Sequence, residues 1–135
     1  MVATEEKIKI IAKAVVVPYY LNLREDGIMS VRISSKKEET VPLVKQMVEK
    51  MGEMTNGKAV PLLARHEEFA LPGKENRDYW AKKESCPYSS ADAFIINSMA
   101  MKLISNFYLS LNKPERPTKM FTDEESAIKW LKLFL

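Results

Sequence analysis

The chain has 135 residues, 46% of them hydrophobic and 29% charged, and 21 basic against 18 acidic side chains leave a net charge of +3. Those values describe one soluble globular domain, 1–135, with enough chain to bury a core unaided. One cysteine (Cys86) excludes an internal disulfide, one histidine (His66) excludes a Cys/His zinc site, and no apolar run approaches the ~18 residues of a membrane span.

Lys and Arg alternate with Glu along the chain, which predicts a solvated surface and no nucleic-acid partner. The N-terminal MVATEEKIKIIAKAVVV lacks the layout of a signal peptide, and the lone thiol fits a reducing cytoplasm. Residues 1–13 are read as an extra or flexible N-terminal segment.

Ala14 to Arg24 (AVVVPYYLNLR) is rich in β-formers and reads as the first strand. Pro18 cannot donate to a ladder, so an edge, a bulge or a strand start is expected there. Glu25-Asp26-Gly27 is a hairpin signal. Ile28 to Ile33 then alternates at period two, with side chains suited to burial on both faces.

Thr40 is placed to cap a helix whose stripe is Val41, Val44, Met47, Val48, Met51 and Met54. Pro42 falls in its first turn, where no N–H is needed, and Asn56-Gly57 ends it. Three methionines on one stripe suit core filling, or an adaptable groove. Lys58 to Ala64 reads as a short buried strand followed by Arg65-His66-Glu67-Glu68. Gly73 to Glu84 reads as a surface helix anchored by Tyr79 and Trp80, and Ser85 to Ser90 as a loop broken at Pro87.

Ala91 to Ile96 is a second buried strand, and Asn97-Ser98 opens the next helix. Ala100, Leu103, Ile104, Phe107, Tyr108 and Leu111 give that helix the cleanest amphipathic pattern in the chain, predicting that this stripe is buried. Asn112 and Pro114 stop it. Thr118 to Phe121 is a short strand. Thr122 with Glu125 three residues on reads as a capping box, with Ala127, Ile128, Leu131 and Phe134 or Leu135 as the buried stripe and Trp130 beside it.

The resulting order, β-β-α-β-α-β-α-β-α, predicts an α/β fold with a mixed, mostly parallel sheet covered by helices. The hairpin REDGIMSVRI, the junction ADAFIINSMAMKLISNFYLSLNKP and the closing PTKMFTDEESAIKWLKLF resemble the STAS-like fold of bacterial anti-sigma-factor antagonists and related single-domain proteins. That resemblance runs from about Ala14 to the end. It implies a bacterial regulatory module that binds a protein partner, with a homodimer as one form of that partnership. It also implies a phosphorylated Ser or Thr at the start of the helix after the third strand. Arg65 to Glu84 contains neither, so Ser85, Ser89 and Ser90 are the nearby alternatives.

No catalytic constellation is legible. His66 would have to serve any triad, nothing marks Cys86 as activated, and Gly27, Gly52, Gly57 and Gly73 form no phosphate-cradling motif, so neither enzyme activity, cofactor nor metal is expected. Ligands of α/β sheets gather beyond the C-terminal strand ends, which points to His66, Asn97 and Ser98 as a pocket for a small polar or anionic molecule. The simpler role for Ser98 is a helix N-cap. Two functional expectations follow: a non-enzymatic STAS-like interaction module, or a small-molecule or lipid carrier.

Overall fold

The computed structural model describes residues 8–135. Among these residues the chain forms one sheet of six strands in sequential order and four α-helices. The strands are β1 (Ile10–Val16), β2 (Tyr19–Arg24), β3 (Met29–Ile33), β4 (Val60–His66), β5 (Ser89–Ile95) and β6 (Thr118–Phe121). The helices are α1 (Val41–Met54), α2 (Lys74–Trp80), α3 (Met99–Phe107) and α4 (Glu124–Leu131). β1, β2 and β3 pair antiparallel, and β3 through β6 pair parallel. The α/β class and the mixed sheet match the sequence reading.

The N-terminal part does not. The run read as one strand from Ala14 is two strands, with Ala14 paired to Leu21 and Val16 to Tyr19. Pro18 occupies the turn between them and is fully buried, so its missing N–H falls outside the ladder. Val15 to Tyr20 carries no Gly or Asn to announce a turn, which is why the run there reads as continuous. Residues 10–13 therefore belong to the sheet, whereas residues 1–7 lie outside the described residues.

Period-two alternation divides the sheet into two faces. Tyr19, Leu21, Met29, Val31, Ile33, Leu62, Ala64 and Phe94 point to one face and form the larger core with Val44, Met47, Val48 and Met51 of α1. α4 covers part of the other face, where Ala127 and Leu131 pack on Ile28, Leu63, Ala91, Ala93 and Ile95. Three consecutive parallel crossovers between adjacent strands leave α1, α2 and α3 on one side, as a constant crossover hand requires. Pro61 sits in central β4, and a register irregularity at Val60–Pro61 accommodates it.

Several local expectations hold. The Thr40 side chain accepts from the Leu43 N–H, and the Ser98 side chain accepts from the Met101 N–H at 3.1 Å. Gly27, in the β2–β3 hairpin, has φ +90, which glycine adopts without strain. Two expectations need correction. The cap of α4 is Asp123, not Thr122: its side chain accepts from Ser126 N–H at 2.8 Å, so the carboxylate one residue later displaces the capping box. In α3 the buried residues are Met101 and Ser105, followed by Tyr108, while Leu103, Phe107 and Leu111 of the expected stripe are 54%, 50% and 73% exposed. α3 is apolar around most of its circumference, so periodicity alone could not choose the face that packs.

Candidate functional site

α1, α2 and α3 do not close completely over the sheet. A cavity of about 80 Å3 remains between them, lined by Tyr19, Val31 and Ile33 from β2 and β3, Leu62, Ala64 and His66 from β4, and Phe94 from β5. Its helical walls are Val44 and Met47 of α1, Asn76, Arg77 and Trp80 of α2, and Met101, Ile104 and Ser105 of α3. Glu39, Pro72, Tyr108 and Met120 complete it. His66, the last residue of β4, places the cavity at the C-terminal ends of the parallel strands, where α/β sheets hold ligands.

The polar groups in this wall are organised in two sets. In the first, Glu39 projects from the β3–α1 connection. Its Oε1 accepts from the Tyr19 hydroxyl at 2.8 Å, and its Oε2 lies 3.2 Å from His66 Nε2. An ionised carboxylate only accepts, so Nε2 carries the proton and Nδ1 is left as the second ring nitrogen. Burial pushes the Tyr19 phenol well above its ordinary value, and the neighbouring Glu39 charge pushes it the same way.

The second set has no partners. His66 Nδ1, Asn76 Nδ2, Arg77 Nε and the Tyr108 hydroxyl are all buried without a hydrogen bond. His66, Asn76 and Tyr108 are each more than nine-tenths buried. Buried polar atoms are nearly always paired, because desolvating one without a partner costs about 1–3 kcal/mol. Four such atoms belong to residues that line one cavity, where they are buried polar groups not already engaged within the protein.

The local folding that delivers these side chains is specific. Asn76 is the buried residue of α2, a helix whose Lys74 and Glu75 are exposed and whose Tyr79 and Trp80 are partly buried against the core. Arg77 is steadied by a bond from its Nη1 to the Pro72 carbonyl at 2.8 Å, and among the described residues it forms no ion pair. Tyr108 begins a π-helical turn, Tyr108–Asn112, that continues α3. Such widened turns are frequent at functional sites. The Tyr108 ring packs edge-on against Phe94, centroids 6.0 Å apart, and Phe94 stacks on His66 at 6.5 Å. Burial, with the Asp92 charge adding to it, holds the Tyr108 phenol protonated far into the alkaline range.

α2 is held in place by a buried ion pair. Asp92 on β5 is fully buried and accepts from Trp80 Nε1 at 3.0 Å and Arg116 Nε at 3.2 Å, and it also bonds the Ser89 hydroxyl. Arg116 goes on to donate to the carbonyls of Trp80 and Lys82 at 2.9 and 3.0 Å and to Ser85 Oγ at 3.1 Å. Its guanidinium carbon lies 4.6 Å from the centre of the Trp80 ring. The end of α2 and the turn after it are thus tied to β5 and the start of β6.

The residues singled out from sequence separate clearly. His66 lines the cavity, whereas Asn97 and Ser98 are exposed and outside its lining, Ser98 being the α3 cap. Ser85 and Ser89 are buried in the Asp92–Arg116 network, and the Ser90 hydroxyl is buried too, so none presents an accessible hydroxyl for phosphorylation. Cys86 is buried, and that burial pushes its thiol up to about 11, away from nucleophilic thiolate character. Glu39, Asn76, Arg77 and Tyr108 carry no sequence signal as a set: they come from a loop, α2 and the π turn after α3, and each reads locally as surface or core.

Among the described residues no helix is long and apolar enough to cross a membrane. No curated protein matches the chain. Among solved structures it is similar to a protein of unknown function from Arthrobacter sp. FB24, determined at 2.20 Å resolution, with 25% sequence identity over 84% of this chain and 98% of that chain and a TM-score of 0.30. The family model described as "Domain of unknown function (DUF7793)" matches residues 21–135, from within β2 to the C-terminus. The chain belongs to the DUF7793 family.

Proposed function

We propose that this chain is a non-enzymatic binding module for a small molecule, held in the cavity between the sheet and α1–α3. The observation that carries this reading is the set of four unpartnered buried polar atoms, on His66, Asn76, Arg77 and Tyr108, in a wall whose other residues, apart from Tyr19, Glu39 and Ser105, are apolar. An apolar enclosure with a few convergent polar groups is the usual form of a small-molecule site. A binder is favoured over a hydrolase because no hydrogen bond joins His66 to Ser105, the serine that lines the cavity, among the described residues. The element order from β2 to α4 supports a STAS-like architecture for the module.

Native mass spectrometry of the protein from its own cells, followed by denatured intact mass, tests the reading. A non-covalent added mass that vanishes on denaturation is expected. A clean polypeptide mass under both conditions, with no small molecule binding on addition of a cell extract, contradicts it.

A second reading, an interaction module that self-associates, is supported by one surface feature. Met99, Leu103, Phe107 and Leu111 recur every fourth residue and are at least half exposed, an apolar stripe along α3 and its π turn. A second copy docking through the same stripe would bury it symmetrically. Sedimentation of the wild type and of Leu103→Lys tests this: a dimer abolished by the substitution supports it, and a wild-type monomer at high concentration overturns it.

A further inference from the structure

We infer that the ligand is a small monocarboxylate with an apolar body, its carboxylate received by Arg77, Asn76 and Tyr108; this rests on the cavity being a ligand site. Arg77 Nε and Asn76 Nδ2 can only donate, and the Tyr108 hydroxyl can donate. His66 has its Nε2 committed to Glu39, so its Nδ1 supplies an acceptor in the neutral ring and a further donor in the protonated one. A group facing these atoms must therefore be rich in acceptors. A carboxylate has only acceptors, about four lone-pair directions on two oxygens. A primary amide has one carbonyl oxygen with two lone pairs and an NH2 that only donates, so it accepts from at most two of the three donors.

Charge selects further. Arg77 is a permanent cation with no carboxylate in ion-pair range among the described residues, and the other charged residue of the lining, Glu39, has its two oxygens engaged by Tyr19 and His66, so a single negative charge on the ligand is the one Arg77 can pair. A dianionic phosphate would bring a second charge into a wall formed by Val31, Ile33, Leu62, Phe94 and Ile104, where it would go uncompensated. Size limits the rest: the cavity of about 80 Å3 has room for roughly five to eight water-sized groups, which suits a short aliphatic or single-ring acid and not a long acyl chain. The methionines Met47, Met101 and Met120 around the apolar end can adapt to either shape.

Calorimetric titration with hexanoate and benzoate, each paired with its amide, tests the inference at neutral pH. The acids are expected to bind at least about tenfold more tightly than the amides. Arg77→Gln should cut hexanoate affinity by about tenfold or more and leave hexanamide within about twofold; Tyr108→Phe, which keeps the ring packed on Phe94, should weaken hexanoate by a smaller factor. Amides that bind as tightly as acids, or acids that ignore Arg77→Gln, overturn the carboxylate assignment and leave the cavity reading intact. If neither class binds while native mass spectrometry finds a neutral endogenous ligand, the assignment is again overturned and the site stands. If neither binds and no endogenous ligand is found, both fall.

Discussion

Glu39 Oε2 lies 3.2 Å from His66 Nε2, and this contact decides which nitrogen of the ring is left over beside the cavity. The same carboxylate holds the Tyr19 hydroxyl, so one loop residue fixes two side chains from the sheet. Glu39→Ala leaves a buried O–H and a buried N–H without their acceptor, at about 1–3 kcal/mol for each group. Urea denaturation should show the loss, and Tyr19→Phe should recover part of it in the Glu39→Ala background. A change below about 0.5 kcal/mol, the level expected of an ordinary surface substitution, would mean that the three side chains are not linked.

Asp92 and Arg116 are the clearest case of a buried charge that depends on its partner. Arg116→Met removes the cation and leaves the fully buried Asp92 carboxylate unpaired, a change of about 3–5 kcal/mol. Asp92→Asn combined with Arg116→Met should cost less than the sum of the two single changes, because neither then leaves a lone charge. Additive losses in a double-mutant cycle would show that the pair does not interact. Because Arg116 bonds the carbonyls at the end of α2, ligand binding should weaken together with stability.

Gly52 lies within α1, where the Tyr88 ring comes so close that a Cβ would stand 2.6 Å from it. Gly52→Ala gains helix propensity yet must displace that ring, and overpacking of this kind costs about 1–3 kcal/mol. In a Tyr88→Ala background the same substitution should become neutral or stabilising. Thermal unfolding of the four proteins gives the cycle, and an unchanged effect of Gly52→Ala in both backgrounds would contradict the contact.

Asp26 supplies a pH signature at the β2–β3 hairpin. Burial alone would raise its carboxyl, but the hydrogen bonds and charge of Arg24, the Ile28 N–H and the charge of Lys132 outweigh burial and hold it below the ordinary 3.8. The folded value lies below the unfolded one, so the contribution to stability is present above about pH 3.8 and is lost as pH falls through the lowered folded value. Asp26→Asn should be less stable than wild type at pH 6, and the gap should narrow toward pH 2 in urea midpoints. A gap that widens in acid would reverse the assigned direction.

How much of this was legible in the sequence depended on whether the signal was local. Period-two runs and Asp-Gly gave β3 and its hairpin, and Thr40 and Ser98 gave the starts of α1 and α3, because strand alternation and capping need only near neighbours. The β1–β2 turn at Pro18 was hidden because its flanks are uniformly β-forming. The buried face of α3 was hidden because Met101 and Leu103 are equally apolar, and only the tertiary neighbours choose between them. His66 was identified from its place at a strand end. Asn76, Arg77 and Tyr108 were not, since their meaning lies in the hydrogen bonds they lack, and that is a property of the packed structure.

The cavity carries its own reporters. Met47, Met101 and Met120 line it, whereas Met99 is 71% exposed on α3 and Met29 is buried away from it. The most direct measurement is the methyl spectrum of protein labelled at the methionine methyl groups, recorded before and after addition of the small-molecule extract of its own cells. The account predicts that the methyl resonances of Met47, Met101 and Met120 move while that of Met99 stays in place. Resonances of all three that remain fixed, with saturating extract and a folded protein, would contradict it.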